Sequence, residues 1–329
     1  MGGFLLHSAS ARSLARTRKP FLVMVIITQK FNGFGNHLLL TSHFLVNALE
    51  HGYELAIPAF DRYVSFFEGT AGQQAYRFGP LAVQLYPDPP KLKALYHALQ
   101  VRWSRGLLTR LPLLQQILGV KIVGDLPAGD VDLNSASYLA QARSPGPLLV
   151  HGWQYRDKRH FAKYGPLLRQ FFRPIKLHRE AVERVVASNR GQADVLVGVH
   201  IRRGDYAEWQ GGMFFYDNAT YARFMREMQT LFPLASRVRF LLFSNEPIAL
   251  ADFAEFDTGR STNHPLEDLY AMAGCDYILG PLSSYSMWAS FFGQVPLCHL
   301  HSPHQAIQSL SEFMVFEDQE TRHWQSAHV

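Results

Sequence analysis

Two adjacent arginines, Arg202 and Arg203, directly follow an apolar, β-branched run over residues 195–201. Guanidinium groups bind phosphate oxygens bidentately and keep their positive charge at physiological pH. In open α/β sheets ligands bind beyond the carboxyl ends of the strands, so this placement predicts a site for a pyrophosphate. A surface ion pair with Asp205 is the alternative that these residues alone leave open.

His200 and Arg202 share one face of the predicted strand, because side chains alternate along a strand. We expect one arginine to bind the phosphates and the other to brace the loop, with Asp205 as its partner. His200 is then placed to contact the ribose or base of a nucleotide. A histidine buried in the core with its hydrogen bonds satisfied is the other interpretation.

The segment FNGFGNH, residues 31–37, is a second candidate. Glycines at 33 and 35 allow a tight turn and a close approach to a ligand. Asn36 either caps the following helix or presents its amide to a sugar. A dinucleotide fingerprint would need a third glycine where this chain has Leu38, so an ordinary strand-to-helix turn remains open.

Three serines, Ser283, Ser284 and Ser286, cluster where a strand over 276–280 gives way to a helix. The free N–H groups and positive dipole end of a helix N-terminus bind anions, and hydroxyl groups add donors. The cluster predicts a second phosphate contact, although helix capping would need only one of the serines. The acids Glu267 and Asp268 lie in the first turn of the predicted helix over 265–274. They either stabilise the helix by interacting with the positive end of its dipole or accept hydrogen bonds from guanine.

The elements that must position these residues form two series. The first has a strand at 21–28, a helix at 37–51 and a strand at 53–58, with a further short strand at 121–124. The second begins near residue 195 and alternates strands (195–201, 237–244, 276–280, 295–300) with helices (217–231, 265–274, 284–292). Gly293 is expected to end the last helix, and Asp217 or Asn218 to cap the first of this series.

This alternation predicts an α/β protein with a GT-B-like fold, two Rossmann-like domains facing across a cleft. We expect a disordered or basic arm at 1–20 and two Rossmann-like domains, one at 21–180 and one at 190–329. The boundary lies within residues 175–192, where basic and polar residues separate the two series.

The chain of 329 residues has a formal net charge of +5, which favours anionic ligands. No nucleic-acid motif occurs, so we expect no nucleic-acid partner. The two cysteines, Cys275 and Cys298, are expected to be small buried residues. Asp130 and Asp132 form a DxD pattern that binds metal–nucleotide complexes in some glycosyltransferases; after a predicted turn, we interpret it as a solvated loop and expect no metal.

Three segments, HIRRGDY, LLFSNE and DLYAMAGCDYILGPLSSYSMW, closely resemble the second-domain motifs of the α-1,2-fucosyltransferase family, glycosyltransferase family 11. The FNGFGNH loop is similar to that family's N-terminal loop. Two positions depart from the family pattern: Leu282 stands where it usually has Asn, and Met287 where it usually has Trp. FSNE, residues 243–246, replaces the usual FSDD.

The resemblance implies inverting, metal-independent transfer of L-fucose from GDP-fucose to a hydroxyl of an oligosaccharide or lipid-linked glycan. It also implies that the domain at 21–180 is the acceptor-side domain and that the domain at 190–329 binds the GDP-sugar. Arg202 and Asp205 are the catalytic candidates that follow from it. The donor-binding candidates are Asn36, His200, Arg202, Arg203, Asp268, Ser283, Ser284 and Ser286. A binding protein of the same fold without turnover, or a transferase with another sugar or linkage, are the alternatives.

Residues 89–124 carry several Lys and Arg side chains and no acid between Asp88 and Asp125. Such a segment either covers the domain core with a basic outer face or docks on an anionic membrane surface. Neither a transmembrane span nor a secretory leader is predicted. We therefore expect a cytoplasmic protein, with peripheral contact at the inner face of a membrane as the alternative.

Overall fold

The computed structural model describes residues 23–28, 33–73, 75–86, 94, 97, 120–123, 130–261 and 264–317. The predicted arm at 1–20 and most of the basic segment at 89–124 lie outside these residues. Among the described residues, no helix is long and apolar enough to cross a membrane.

The N-terminal half is built on a six-stranded sheet. Its strands and the small pair beside it are β1 (Val23–Ile27), β2 (Glu54–Ala56), β3 (Ala75–Phe78), β4 (Leu81–Gln84), β5 (Lys121–Val123), β6 (Val131–Asp132), β7 (Gly146–Val150) and β8 (Tyr155–Arg156). Its helices are α1 (Phe34–His51), α2 (Ala136–Ala142) and α3 (Gly165–Phe171), with a 3-10 segment at Pro58–Phe66. The sheet order is β3-β4-β2-β1-β7-β5, parallel except for the β3–β4 hairpin.

The C-terminal half is a five-stranded parallel sheet covered by helices. Its strands are β9 (Val195–Ile201), β10 (Val238–Ser244), β11 (Asp257–Arg260), β12 (Tyr277–Pro281) and β13 (Leu297–Leu300), in the order β11-β10-β9-β12-β13. The helices are α4 (Lys176–Arg190), α5 (Asn218–Thr230), α6 (Pro265–Met272) and α7 (Ser284–Gly293). Short 3-10 segments lie at Gly204–Ala207, Trp209–Gly212, Leu250–Phe253 and Leu310–Glu312.

Strand β9 forms the centre of this sheet because its side chains are apolar on both faces. Val197, Val199 and Ile201 pack into one hydrophobic cluster, and Leu196 packs into the other. At Gly198 a Cβ would lie only 3.1 Å from Cys275 Sγ, so the missing side chain lets the segment after α6 approach the strand. The larger cluster also contains residues of β1, α1 and β7, so one core joins the two halves.

The predicted α/β fold with two Rossmann-like sheets is confirmed, and Asp217 is the residue that caps α5. Residues 175–192, where we placed the domain boundary, are mostly helix α4, none of whose residues is fully buried. Helix α1 begins at Phe34, earlier than predicted, after Gly33 with φ of 95°.

The prediction that Gly293 ends α7 was wrong, since Gly293 lies within the helix. Gln294 ends it instead, in the left-handed conformation with φ of 56°. The glycine is required by packing, because a Cβ at residue 293 would fall 2.0 Å from the carbonyl oxygen of Ala273.

Candidate active site

A cavity of about 630 Å³ lies between the two halves. It opens at the carboxyl ends of β9, β10 and β12, and the order of the sheet reverses between β9 and β12, the point at which doubly wound sheets bind ligands. The N-terminal half contributes Gly33, Phe34, Gly35, Asn36 and Trp153. The C-terminal half contributes, among others, His200, Arg202, Asp205, Tyr206, Trp209, Asn245, Pro265, Asp268, Ser283, Ser284 and Tyr285.

Arg202 lies in this cavity, one residue beyond the end of β9. Its Nη2 donates a hydrogen bond of 2.5 Å to Oδ1 of Asp205, and its guanidinium carbon lies 5.2 Å from the centre of the Tyr206 ring. The arginine side chain is 28 % exposed and the aspartate 64 %. A guanidinium oriented in this way by a carboxylate and an aromatic ring keeps further N–H groups for an anion.

Arg203 does not line the cavity. Its Nη2 donates to Oδ1 of Asn218 at the start of α5, and the amide of Asn218 donates in turn to Asp252. One arginine therefore faces the cavity and the other braces the loop, while phosphate binding by the first stays a prediction. The expected bracing partner was wrong, because Asp205 pairs with Arg202 and the brace runs through Asn218.

The main chain after Arg202 is held by Asn245, which follows β10. Its Oδ1 accepts the N–H of Arg203 at 2.8 Å, and its Nδ2 donates to the Arg203 carbonyl at 3.2 Å. Sequence reasoning did not single out Asn245 as a site residue. Its position in FSNE, at the end of a predicted strand next to the arginine strand, was the signal available.

Two of the three serines at the N-terminus of α7 line the cavity. The Ser283 hydroxyl accepts a hydrogen bond from the Tyr285 N–H at 3.2 Å and so caps the helix, and Ser284 follows it. The hydroxyl of Ser286 is fully buried and donates to the Ser283 carbonyl at 3.1 Å. Ser286 therefore faces the protein interior, whereas Ser283 and Ser284, at the N-terminus of α7, line the cavity.

His200 lines the cavity while being 5 % exposed, with its ring centre 5.3 Å from that of Tyr285. Burial, with the nearby charge of Arg202, lowers its pKa from 6.5 to about 3. The imidazole is thus neutral at physiological pH and able to donate from one nitrogen and accept at the other. Among the described residues, its Nδ1 has no hydrogen-bond partner.

The first turn of α6 places its two acids differently. Asp268, 9 % exposed, lines the cavity and accepts a hydrogen bond from the hydroxyl of Ser261. Glu267 accepts from Nδ1 of His178 at 2.8 Å, on α4, and does not line the cavity. Asp268 is thus the acid of this pair that a ligand can reach.

The loop before α1 meets the N-terminus of α7 directly. A Cβ on Gly35 would lie 2.6 Å from the carbonyl carbon of Ser284, so only glycine allows this contact. Asn36 lies in the first turn of α1 and lines the cavity, but no side chain caps this helix. The prediction that Asn36 could cap the helix is therefore wrong, and Asn36 forms part of the cavity wall.

The DxD aspartates lie away from the cavity. Asp130 pairs with Lys158 at 3.2 Å, and Oδ1 of Asp132 accepts the N–H of Asn134 at 2.8 Å. Within the described ranges, no cluster of three or more His, Cys, Asp or Glu side chains could hold a metal ion. Cys275 and Cys298 are buried as predicted, and burial raises the pKa of the Cys298 thiol to about 12.

Comparison with known proteins confirms the resemblance drawn from the motifs. Residues 166–325 match the family model for glycosyl transferase family 11. This segment contains the arginine strand, Asn245, Asp268 and the serine motif. A sequence comparison with curated proteins found no match.

The fold is similar to that of several solved structures. Fucosyltransferase NodZ from Bradyrhizobium superposes with a TM-score of 0.55 at 15% identity, covering 86% of this chain and 97% of NodZ. A mutant of Arabidopsis thaliana FUT1 in complex with GDP superposes with a TM-score of 0.56 at 12% identity, covering 91% of this chain and 75% of the FUT1 chain. POFUT1 in complex with GDP-fucose superposes with a TM-score of 0.50 at 14% identity, covering 86% of this chain and 98% of the POFUT1 chain. These similarities establish the GT-B-like fold.

Proposed function

We propose that this chain, which carries a glycosyl transferase family 11 domain over residues 166–325 and is a glycosyltransferase, transfers L-fucose from GDP-fucose to a glycan hydroxyl. The transfer inverts the anomeric carbon and makes an α-1,2 linkage to a galactoside. The observation that carries the proposal is the position of Arg202, in the cavity at the sheet's reversal point and beside the N-terminus of α7.

The C-terminal half binds the donor in this proposal. Arg202 and the N-terminus of α7, with Ser283 and Ser284, bind the pyrophosphate from two directions. Asp268 accepts hydrogen bonds from the N1 and N2 groups of guanine, and neutral His200 contacts the ribose or base. The solved structures of similar fold support this choice of donor, since NodZ was soaked with GDP-fucose and POFUT1 holds GDP-fucose.

The N-terminal half closes the cavity on the acceptor side. Asn36 contributes an amide that can hydrogen-bond to a sugar hydroxyl, and Trp153 contributes an aromatic wall. The acceptor is an oligosaccharide or a lipid-linked glycan. Any membrane contact would come from the basic segment at 89–124, most of which lies outside the described residues.

The reaction needs stabilisation of the leaving group more than a strong nucleophile. The acceptor oxygen forms a bond to C1 of fucose on one face while the bond from C1 to the phosphate oxygen breaks on the other. Negative charge grows on the departing GDP, where Arg202 and the α7 N–H groups stabilise it in a cavity partly shielded from water. These donors do what a divalent cation does in other glycosyltransferases, so we propose that no metal takes part.

Asp205 has its first role in orienting Arg202, to which it is hydrogen-bonded. The acceptor proton leaves late, because an oxocarbenium-like transition state needs little help from a base. It passes to Asp205 or to solvent. We assign Arg203 to the support of the loop rather than to the phosphates, because its guanidinium is engaged by Asn218.

The test is GDP release from GDP-fucose, GDP-mannose, UDP-galactose and UDP-glucose, each with and without EDTA. We expect turnover of GDP-fucose alone, unaffected by EDTA. Preference for a UDP-sugar, or activity abolished by EDTA and restored by manganese, would contradict the proposal. Tight GDP binding without turnover of any donor would identify a nucleotide-sugar-binding protein instead.

A further inference from the structure

Tyr206 lies between the two elements that bind the pyrophosphate in the proposed function. It is 9 % exposed and lines the cavity beside Arg202 and the N-terminus of α7. The proposed function gives this tyrosine no task, although it contacts both elements. A single rigid side chain that contacts two elements can fix the distance between them.

The turn after β9 brings Tyr206 back to Arg202. Gly204 begins the 3-10 segment of this turn with φ of 64°, a conformation that favours glycine, and a Cβ there would lie 2.9 Å from Nδ2 of Asn245. The guanidinium carbon of Arg202 then lies 5.2 Å from the centre of the Tyr206 ring. A guanidinium is attracted to the face of an aromatic ring, so the tyrosine restricts where this cation can point.

The hydroxyl end of Tyr206 reaches the start of α7. It donates a hydrogen bond of 2.7 Å to the carbonyl oxygen of Leu282, the residue before the helix cap. The side chain of Ser283, which caps α7, also interacts with this hydroxyl group. Tyr206 therefore joins Arg202 to the residues at which the free N–H groups of α7 begin.

The remaining contacts of the Tyr206 ring fix its position. The centre of the Trp209 ring lies 4.8 Å from that of Tyr206, and Trp209 in turn lies 5.3 Å from the buried Phe214. A tyrosine side chain has two torsion angles, so packing on its ring together with a hydrogen bond at its hydroxyl holds it in one orientation. The distance between Arg202 and the start of α7 is thus determined before a ligand arrives.

A fixed distance between these two groups of donors matters most in the transition state. Negative charge then grows on the departing GDP, and donors stabilise it best when they are already oriented toward it. Donors that are present but free to shift can still bind a diphosphate in the ground state. They lose more in the transition state, because they must be reoriented during each turnover.

We infer that Tyr206 is a positioning residue, which acts through Arg202 by fixing the distance between the arginine guanidinium and the N-terminus of α7. This inference rests on the proposed function. It assigns the tyrosine ring to the orientation of Arg202 and the hydroxyl to the attachment of α7. The two parts can be removed separately, because Tyr206→Phe deletes the hydroxyl alone and Tyr206→Leu deletes the ring as well.

The experiment measures kcat and KM for GDP release from GDP-fucose, the Kd for GDP, and Tm. The variants are Tyr206→Phe, Tyr206→Leu, Arg202→Ala and the double variant that combines Arg202→Ala with Tyr206→Phe. Tyr216→Phe is the matched control. The buried Tyr216 hydroxyl also donates to a main-chain carbonyl, that of Leu300 at 3.0 Å, but Tyr216 does not line the cavity.

We expect Tyr206→Phe to lower kcat by roughly 10-fold, with the KM and the Kd for GDP within about threefold of wild type. Tyr206→Leu should lower kcat further, toward the value of Arg202→Ala. In the Arg202→Ala background, Tyr206→Phe should lower kcat by less than about threefold, since the residue through which it acts is already gone. Tyr216→Phe, with a similar loss of Tm, should retain wild-type kcat.

A kcat of Tyr206→Phe within about twofold of wild type would overturn the inference. An equal loss of kcat in Tyr216→Phe would do the same, because the effect would then follow from losing any buried hydrogen bond. A full 10-fold loss in the Arg202→Ala background would show that Tyr206 acts independently of Arg202.

Failure of the proposed function looks different from failure of this inference. It appears in the wild type, as absent GDP binding or absent GDP release from GDP-fucose, before any variant is compared. Tyr206→Phe keeps the ring and its packing, so it tests the inference even if Tyr206→Leu does not fold.

Discussion

Asn245 holds the main chain of Arg203 at both of its polar groups, accepting the N–H at 2.8 Å and donating to the C=O at 3.2 Å. A carboxamide can accept and donate at the same time at neutral pH, whereas a carboxylate can only accept. The pair fixes the turn that follows β9, and with it the direction in which Arg202 leaves the strand. We call this pair of hydrogen bonds the Asn245 clamp; it depends on the asparagine of FSNE, residues 243–246.

Asn245→Asp tests the clamp. The carboxylate keeps the bond to the Arg203 N–H but faces the Arg203 carbonyl with an unprotonated oxygen, so the turn should shift. We expect kcat to fall by ~10-fold or more, since small displacements of a charged group from its productive position are costly. Glu246→Gln, on the exposed neighbouring residue, is the control and should retain wild-type kcat. Equal kcat values for the two variants would show that the clamp does not affect catalysis.

Arg202→Ala and Arg203→Ala should have different consequences. Removing Arg202 deletes a donor to the leaving group, and we expect turnover to fall by ~10²–10³-fold with little change in Tm. Removing Arg203 breaks the link to Asn218 and should lower Tm more than Arg202→Ala does. Arg239→Ala is the control, because the Arg239 side chain is also 28 % exposed and also pairs with an aspartate. Residual activity of Arg202→Ala within a few-fold of wild type would refute the assignment.

Asp205→Asn separates orientation from proton transfer. The amide oxygen can still accept from Arg202, so if orientation is the main role we expect a loss of roughly 10-fold and an unchanged pH profile. A general base contributes ~10²–10⁴-fold, so a loss of that size together with the disappearance of an acidic limb in kcat would assign Asp205 as the base. The measurement is the pH dependence of kcat for both proteins.

Gly35→Ala should disrupt the contact between the two halves. The added methyl group would lie 2.6 Å from the backbone of Ser284, so either the loop before α1 or the N-terminus of α7 must move. We expect a loss of about 1–3 kcal/mol in the free energy of unfolding and a rise in the Kd for GDP. The control is Gly165→Ala in α3, where a Cβ would meet only side-chain atoms at 3.3 Å or more. A Kd for GDP unchanged by Gly35→Ala would show that this contact does not shape the donor site.

The free energy of unfolding should decrease as the pH falls below about 6.5. The reason is that histidines which stay neutral in the folded chain bind protons in the unfolded chain. The pKa of His200 is lowered to about 3 by burial, and burial also holds the pKa of His43 well below 6.5. Each such histidine contributes up to about 1.4 kcal/mol per pH unit between its folded and unfolded pKa values. This contribution to the free energy of unfolding is fully present at pH values above the pKa of the histidine in the unfolded chain.

The measurement is the free energy of unfolding in urea at pH 7, 6, 5 and 4. We expect His200→Asn to flatten the slope over this range, whatever its effect on stability at pH 7. His304→Asn, at an exposed position, should leave the slope as in wild type. A slope that His200→Asn does not change would mean that folding does not lower the pKa of this histidine.

Much of the fold could be predicted from local patterns. The strand at 195–201 is confirmed residue for residue, because its apolar run is buried on both faces and bounded by charged residues. The cap of α5 was predicted to be Asp217 or Asn218, and it is Asp217, whose side chain accepts the Thr220 N–H at 2.8 Å. The hairpin of β3 and β4 and the strand β7 were not predicted, because short strands carry little periodicity.

Pairs of adjacent residues of the same type show what local sequence patterns cannot predict, namely which residue of the pair faces the cavity. Arg202 and Arg203 are alike in sequence, and alternation along the chain separates them without saying which one faces the cavity. Glu267 and Asp268 are about 100° apart around α6, and the packing of α4, through His178, decides that Asp268 faces the ligand. Trp153 lies in a stretch without a recognisable motif, so nothing local indicated its place.

The sequence by itself determined the alternation of strands and helices, the arginine-bearing strand end and the serine-bearing helix start, because these depend on side-chain periodicity and on capping between near neighbours. Only the tertiary structure decided which arginine, which acid and which serines reach the cavity, and that two tryptophans from different halves line it. Those outcomes depend on contacts between residues far apart in the chain, such as Gly35 with Ser284 and Asn245 with Arg203. Such contacts exist only once the two sheets have packed against each other.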